Sequence, residues 1–135
     1  MKWSAAFLAW TLFVWVGRIR NALADTALDA AGRTGPLLLA TSFVLPALVL
    51  AVALVLRWRG RPVGWLAPAM TVFAVWTTGV WIVRAGDIAL GGDHPVAFVV
   101  VHTVLAVVSI ALAWLAVRSL RATPVSAVEQ QPVPS

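Results

Sequence analysis

The chain has no cysteine and no tyrosine. The first absence excludes disulfides, thiolate metal sites and thiol redox chemistry, and leaves the compartment unmarked by cysteine usage. Charge is scarce too: 11% of the 135 residues are charged and 61% are hydrophobic. Soluble domains carry charge on roughly a quarter of their residues, so there is too little polar surface here to coat a water-soluble globule. No Asp or Glu interrupts any long apolar run, which argues against a small four-span exporter built on a membrane-embedded carboxylate. A Gly-rich phosphate loop, an H-E-x-x-H helix and a serine set beside a base are all missing, so no catalytic constellation nominates an enzyme.

What is present is a repeat. Phe7 to Arg18 reads FLAWTLFVWVGR and Phe73 to Arg84 reads FAVWTTGVWIVR, sixty-six positions later. Phe7, Trp10, Thr11, Val14, Trp15 and Arg18 recur as Phe73, Trp76, Thr77, Val80, Trp81 and Arg84. A weaker match pairs Phe43-Val44 and Val49 to Val52 with Phe98-Val99 and Val104 to Val107.

The apolar runs predict four membrane-spanning helices over about 3–24, 36–56, 65–84 and 95–117. A hydrocarbon core about 30 Å thick needs about 20 residues at 1.5 Å each. Trp3 to Gly17 alone is short by that measure, so the first helix has to continue through Arg18 and Arg20, whose stems reach outward. Met1 to Ala24 has the outline of a signal peptide, with Lys2, an apolar stretch and Ala22-Leu23-Ala24. The mid-chain copy of this helix argues for its retention. Asn21 to Gly35 reads as a short interfacial helix and a turn, with Pro36 opening the second span. Pro46 removes a hydrogen bond in mid-span, with Thr41 or Ser42 available to the freed carbonyl. The basic turn Arg57 to Pro62 implies a tight antiparallel pair of spans two and three. Ala85 to His94 reads as a Gly-rich link, Asp93 or His94 as the cap of the fourth helix, and 122–135 as a disordered cytoplasmic tail.

Residues 1–121 therefore form one all-α domain, an integral membrane four-helix bundle of two helical hairpins. One span separates the two copies, so they cross in the same direction as a parallel repeat. Lys2, Arg57, Arg59, Arg61, Arg118 and Arg121 lie on one side and Arg18, Arg20, Arg33 and Arg84 on the other. The positive-inside rule then places both termini in the cytoplasm, in the cell membrane. The net charge of +5 is gathered at helix ends, not along a phosphate-binding stripe, so nucleic acid is not an expected partner.

Two groups of residues carry candidate functions. Thr11, Trp15 and Arg18 share a helix face, as do Thr77, Trp81 and Arg84. One reading makes Trp15 and Trp81 part of an aromatic belt with Arg18 and Arg84 snorkelling beside them and Asp87 neutralising Arg84. The other makes them an anion or lipid-phosphate site presented by symmetry-related helices. His102 lies inside the fourth span on a stripe with Ala106, Ser109, Ala113 and Ala116, small residues that allow close helix packing. It suits a hydrogen bond to Thr77, Thr78 or a backbone carbonyl, proton transfer, or haem or metal ligation shared between two subunits.

The segments WTLFVWVGRIRNAL and FVVVHTVLAVVSIALAWLA, with arginine dominating the basic residues, resemble short four-span membrane proteins of high-GC Gram-positive bacteria. That resemblance implies the architecture and carries no activity, cofactor or functional residue. Three functions are compatible with these features: a non-catalytic accessory or scaffolding subunit, an oligomeric channel or transporter for anions or protons, and a haem-binding electron carrier. The lipid bilayer, further copies of the chain or a larger membrane complex are the expected partners, and no cofactor is assigned.

Overall fold

A computed structural model describes residues 1–92 and 94–122. The expected tail, apart from Ala122, and the capping role of Asp93 lie outside the described residues. Those residues form four α-helices and no strand: α1 (Lys2–Ala24), α2 (Ala30–Trp58), α3 (Leu66–Leu90) and α4 (Val96–Arg121). By length and composition, α2, α3 and α4 are apolar enough to cross a membrane. α1 is not among them, although a fourth span was expected there. Its three Trp residues, Ser4, Thr11, Arg18 and Arg20 dilute it.

Each helix packs against a neighbour running the other way. α1 lies against α2 and α4, and α3 against α4. α2 and α3 touch least, so the tight pair expected from the basic turn between them does not form. α1 and α3 sit diagonally and run parallel, since Phe7 meets Phe73 and, two turns on, Trp15 meets Trp81. The interior they share is filled by Phe7, Phe43, Leu66 and Met70, each fully buried.

Helix boundaries depart from the sequence reading for local reasons. Asp29 accepts a 2.7 Å hydrogen bond from the Gly32 N–H and caps α2 at Ala30. Gly32 and Gly35 are therefore helical, no separate interfacial helix forms, and Pro36 lies inside α2. Asp25 instead orders the connection by accepting from the Ala27 N–H. The Ser42 hydroxyl donates to the Leu39 carbonyl at 2.7 Å, not to an acceptor freed by Pro46. α2 ends in a Schellman motif. Gly60 has φ +76, its N–H donates to Arg57 O, and Arg61 N–H reaches back to Leu56 O. α3 continues through Gly86 and Asp87 to Leu90, so most of the expected Gly-rich link is helix. Pro95 is the N-cap residue of α4 and not its first helical residue.

Burial recurs at one spacing through both halves. Ser4, Phe7, Leu8, Thr11, Trp15 and Ala22 are buried in α1, and Met70, Phe73, Ala74, Thr77, Trp81 and Ile88 in α3, sixty-six positions on. The same spacing carries Ala40, Phe43, Ala47, Leu50 and Leu54 of α2 onto Ala106, Ser109, Ala113, Ala116 and Leu120 of α4. The expected correspondence of Phe43 with Phe98 is thus corrected: in the fold Phe43 answers to Ser109. Apolar strings of Val and Leu align by chance at many offsets, whereas burial selects one.

Candidate functional site

The faces bearing Thr11, Trp15 and Arg18 on α1 and Thr77, Trp81 and Arg84 on α3 point toward each other across the bundle. Thr77 is buried, and its hydroxyl donates to Phe73 O at 2.8 Å, which satisfies it within its own helix. Trp15 and Trp81 are core residues and not an aromatic belt. Each is 3% exposed, their ring centroids are 6.1 Å apart, and Trp15 stacks on Phe43 at 4.0 Å. The tryptophans that do face outward include Trp3, Trp58, Trp65 and Trp76.

One turn beyond the Trp pair, Arg18 and Arg84 line a single cavity of about 370 Å³. α1 contributes Phe13, Val14, Trp15, Gly17, Arg18 and Asn21, α3 contributes Trp81 and Arg84, and α4 contributes Phe98, His102 and Leu105. The two guanidinium charges lie near enough to repel each other. Neither makes a hydrogen bond or ion pair among the described residues, and Asp87 stands outside ion-pair distance of Arg84. Stacking of either Arg on its Trp is not seen; the cation over a ring among the described residues is Lys2, 5.9 Å from Trp3.

His102 is half-buried at this cavity and is hydrogen-bonded to neither Thr77 nor Thr78, whose hydroxyls donate to Phe73 O and Ala74 O. Its Nδ1–H donates to the Phe98 carbonyl at 2.9 Å, which leaves Nε2 without a partner among the described residues. The Phe98 ring of α4 meets both histidines, His94 just before the helix at 4.8 Å and His102 within it at 4.0 Å. Thr78 instead accepts from the Trp114 indole N–H at 3.2 Å.

Trp81 adds an unsatisfied donor. Its indole Nε1–H is buried without a hydrogen-bond partner, a condition shared among the described residues only by Arg33 Nε. Buried polar groups are nearly always bonded, so an orphan on a cavity wall calls for a reason.

The small-residue stripe forms the α1–α4 seam. Ala106, Ser109, Ala113 and Ala116 are all buried. The Trp10 indole N–H donates to Ser109 Oγ at 2.9 Å, and Ser4 Oγ sits 3.2 Å from Ser119 Oγ and 3.5 Å from Ala116 O. By the sixty-six-residue correspondence, Met70, Phe43 and Leu50 of the α2–α3 seam occupy the places of Ser4, Ser109 and Ala116. Bulk there holds the helices apart, where hydroxyls and methyls let α1 and α4 close. An apolar groove of about 670 Å³ results, lined by Leu45, Pro46, Val49, Trp65, Val72 and Trp76 among others.

Asn21 and Ser4 were not among the sequence candidates, and Trp10 was marked only as part of the repeat. Asn21 follows Arg18 by three residues, a spacing that places both on one helix face. Among the described residues no group of three or more His, Asp or Glu could hold a metal ion. No known protein family matches the chain, and no curated protein or solved structure matches it.

Proposed function

We propose that the chain is a four-span integral protein of the cell membrane, with both termini cytoplasmic, acting as a non-catalytic accessory subunit of a larger membrane assembly. Three sufficiently apolar helices support the membrane reading, and α1 crosses with them because it packs along both α2 and α4. Leu38, Val52, Val55, Val101, Val104 and Val107 face outward, as suits contact with acyl chains.

The observation that favours an accessory role is the unequal seams. The repeat supplies two equivalent places where helices meet. One is closed by small residues and hydroxyls, and the other is an open apolar groove. Lipid offers no hydrophobic drive for helix association, so an open apolar seam gains most from a close-packed occupant. The occupant assigned here is a transmembrane helix of a partner polypeptide. The test places a photo-crosslinking residue at Val49 or Val72 in the intact membrane, with Val101 on the outer face of α4 as control. A discrete adduct with one polypeptide from Val49 and Val72, and not from Val101, is expected. Labelling of lipid alone at all three positions would overturn the reading.

The alternative, an oligomeric conduit for anions or protons, is favoured by the convergence of Arg18, Arg84 and His102 on one cavity. The fully buried Phe7, Phe43, Leu66 and Met70 block the axis of a single copy, so any such path would run between copies. Liposomes containing purified protein would then pass chloride or protons, with flux lost in Arg84→Ala or His102→Ala.

A further inference from the structure

We propose that the cavity between α1, α3 and α4 binds a phosphate oxyanion, held by Arg18 and Arg84 with Asn21 and His102 beside them. The argument begins with charge. Two guanidinium groups share a mostly apolar cavity, repel each other, and have no ion-paired carboxylate among the described residues. Like charges gathered in a low-dielectric site are costly, and no ion pair among the described residues offsets them. An anion from outside the chain would supply the counter-charge. Guanidinium groups present planar forks of N–H donors that match the oxygens of a phosphate.

The repeat shows that this cavity is specialised. A second cavity lies on the other side of the Arg pair, lined by Leu39, Gly79, Val80, Val83, Arg84 and Asp87 with two further residues. Subtracting or adding sixty-six converts those six into Leu105, Phe13, Val14, Gly17, Arg18 and Asn21 of the first. The two linings are therefore related by the repeat, and they differ in charge: the first holds both Arg18 and Arg84, the second Arg84 alone. Asp87 stands in one where Asn21 stands in the other. Of these two cavities, the one with Asn21 has no carboxylate in its lining and gains a histidine.

Asp25 borders the smaller neighbouring space with Arg18 and Asn21, but one of its carboxylate oxygens accepts from the Ala27 N–H and it makes no ion pair with Arg18. Trp81, which also lines this cavity, carries a buried indole N–H without a hydrogen-bond partner, a further donor if the ring turns toward the ligand. At about 370 Å³ the space falls within the range of small-ligand sites. Arg18 and Arg84 stand near the same end of the bundle, so the phosphate could belong to an anionic lipid headgroup or to a solute.

Native mass spectrometry of the full chain, released from nanodiscs of phosphatidylcholine and phosphatidylglycerol, separates these sources when joined to thermal unfolding in detergent with sodium phosphate or sodium chloride at equal ionic strength. Selective retention of phosphatidylglycerol without stabilisation by phosphate supports the headgroup, and stabilisation by inorganic phosphate supports the solute. Either binding is expected to fall about tenfold or more in Arg18→Gln and Arg84→Gln, the effect of losing a hydrogen bond to a charged group. Asn21→Asp, which copies the counterpart cavity, is expected to weaken binding comparably while keeping side-chain size. Arg20→Gln, on the exposed surface, is expected to leave it unchanged. Neither ligand binding, or equal losses in Arg20→Gln and Arg84→Gln, would overturn the proposal. Because Val49 and Val72 lie on the other groove, failure of the accessory reading leaves this result standing, and the converse.

Discussion

Trp15 and Trp81 occupy the same place in two copies of one helix, and their rings meet in the core with centroids 6.1 Å apart, tilted by 55°. Phe7 and Phe73, another equivalent pair, meet at 5.6 Å. Parallel helices related by an axis running between them bring each residue against its own counterpart, so this self-meeting is the signature of a parallel repeat. It also accounts for the proximity of Arg18 and Arg84, which continue the same face one turn on. Packing that favours the aromatic pairs thereby forces the two cations together.

Trp15→Ala removes a ring that contacts both Phe43 and Trp81. Large-to-small changes of this kind in a packed core cost about 3–5 kcal/mol. A fall in unfolding free energy of that order in mild detergent is expected, while Trp58→Ala, at an outward-facing position, is expected to stay within about 0.5 kcal/mol of the parent. Equal effects at the two positions would place Trp15 outside the core.

Ser109→Leu tests the closed seam. The larger side chain displaces the Oγ that accepts from Trp10 and pushes into a contact where Ser109 is only 4% exposed. Overpacking of this sort costs about 1–3 kcal/mol. The same bulk is native at the counterpart Phe43, so the variant is expected to remain helical by circular dichroism while unfolding at lower temperature. Unchanged stability would mean that α1 and α4 are not held by close approach.

Four helices were legible because length, low charge and terminal arginines are local signals, although α1 is less apolar than the span expected there. Helix ends were less so. Gly32 and Gly35 each disfavour helix by about 1 kcal/mol, yet the Asp29 cap and the burial of later residues in α2 outweigh that preference. The first repeat was legible in its Trp and Arg spacing, whereas the second was hidden, since Phe43 and Ser109 share burial and nothing else. The looseness of α2 against α3 could not be read from a short turn, because connection length sets which helices are neighbours and side-chain bulk sets how near they come. His102 was marked as a candidate by its place in an apolar run. Its meeting with the Arg pair depends on the register between α1 and α4, which no single segment encodes.

Gly60→Ala addresses the α2–α3 turn. With φ +76, Gly60 holds a left-handed conformation that a Cβ disfavours by about 1–2 kcal/mol, although the space around it is open. A modest loss of stability of that size is expected, read by thermal unfolding, with Gly17→Ala as a helical control of opposite expectation. A Cβ at Gly17 meets nothing within 4 Å, and alanine favours helix over glycine by about 1 kcal/mol. The reverse order would be inconsistent with a Schellman end to α2.

Orientation and processing can be tested on one set of fusions. The basic residues at the end of the bundle holding Lys2, Arg57, Arg59, Arg61, Arg118 and Arg121 outnumber those at the other end, six to four. Reporters that fluoresce only in the cytoplasm are therefore expected to be active both before Lys2 and after Arg121, and a periplasm-active reporter in the connection after Asp25. Intact mass of the purified protein is expected to include Lys2 to Ala24, because α1 supplies Phe7, Leu8, Thr11 and Trp15 to the core and partners both α2 and α4. Cleavage before Asp25 would remove one guanidinium of the Arg pair together with the contacts of α1 to both α2 and α4. A mature chain that begins there, or termini found on opposite sides, would contradict a bundle in which α1 is a central helix.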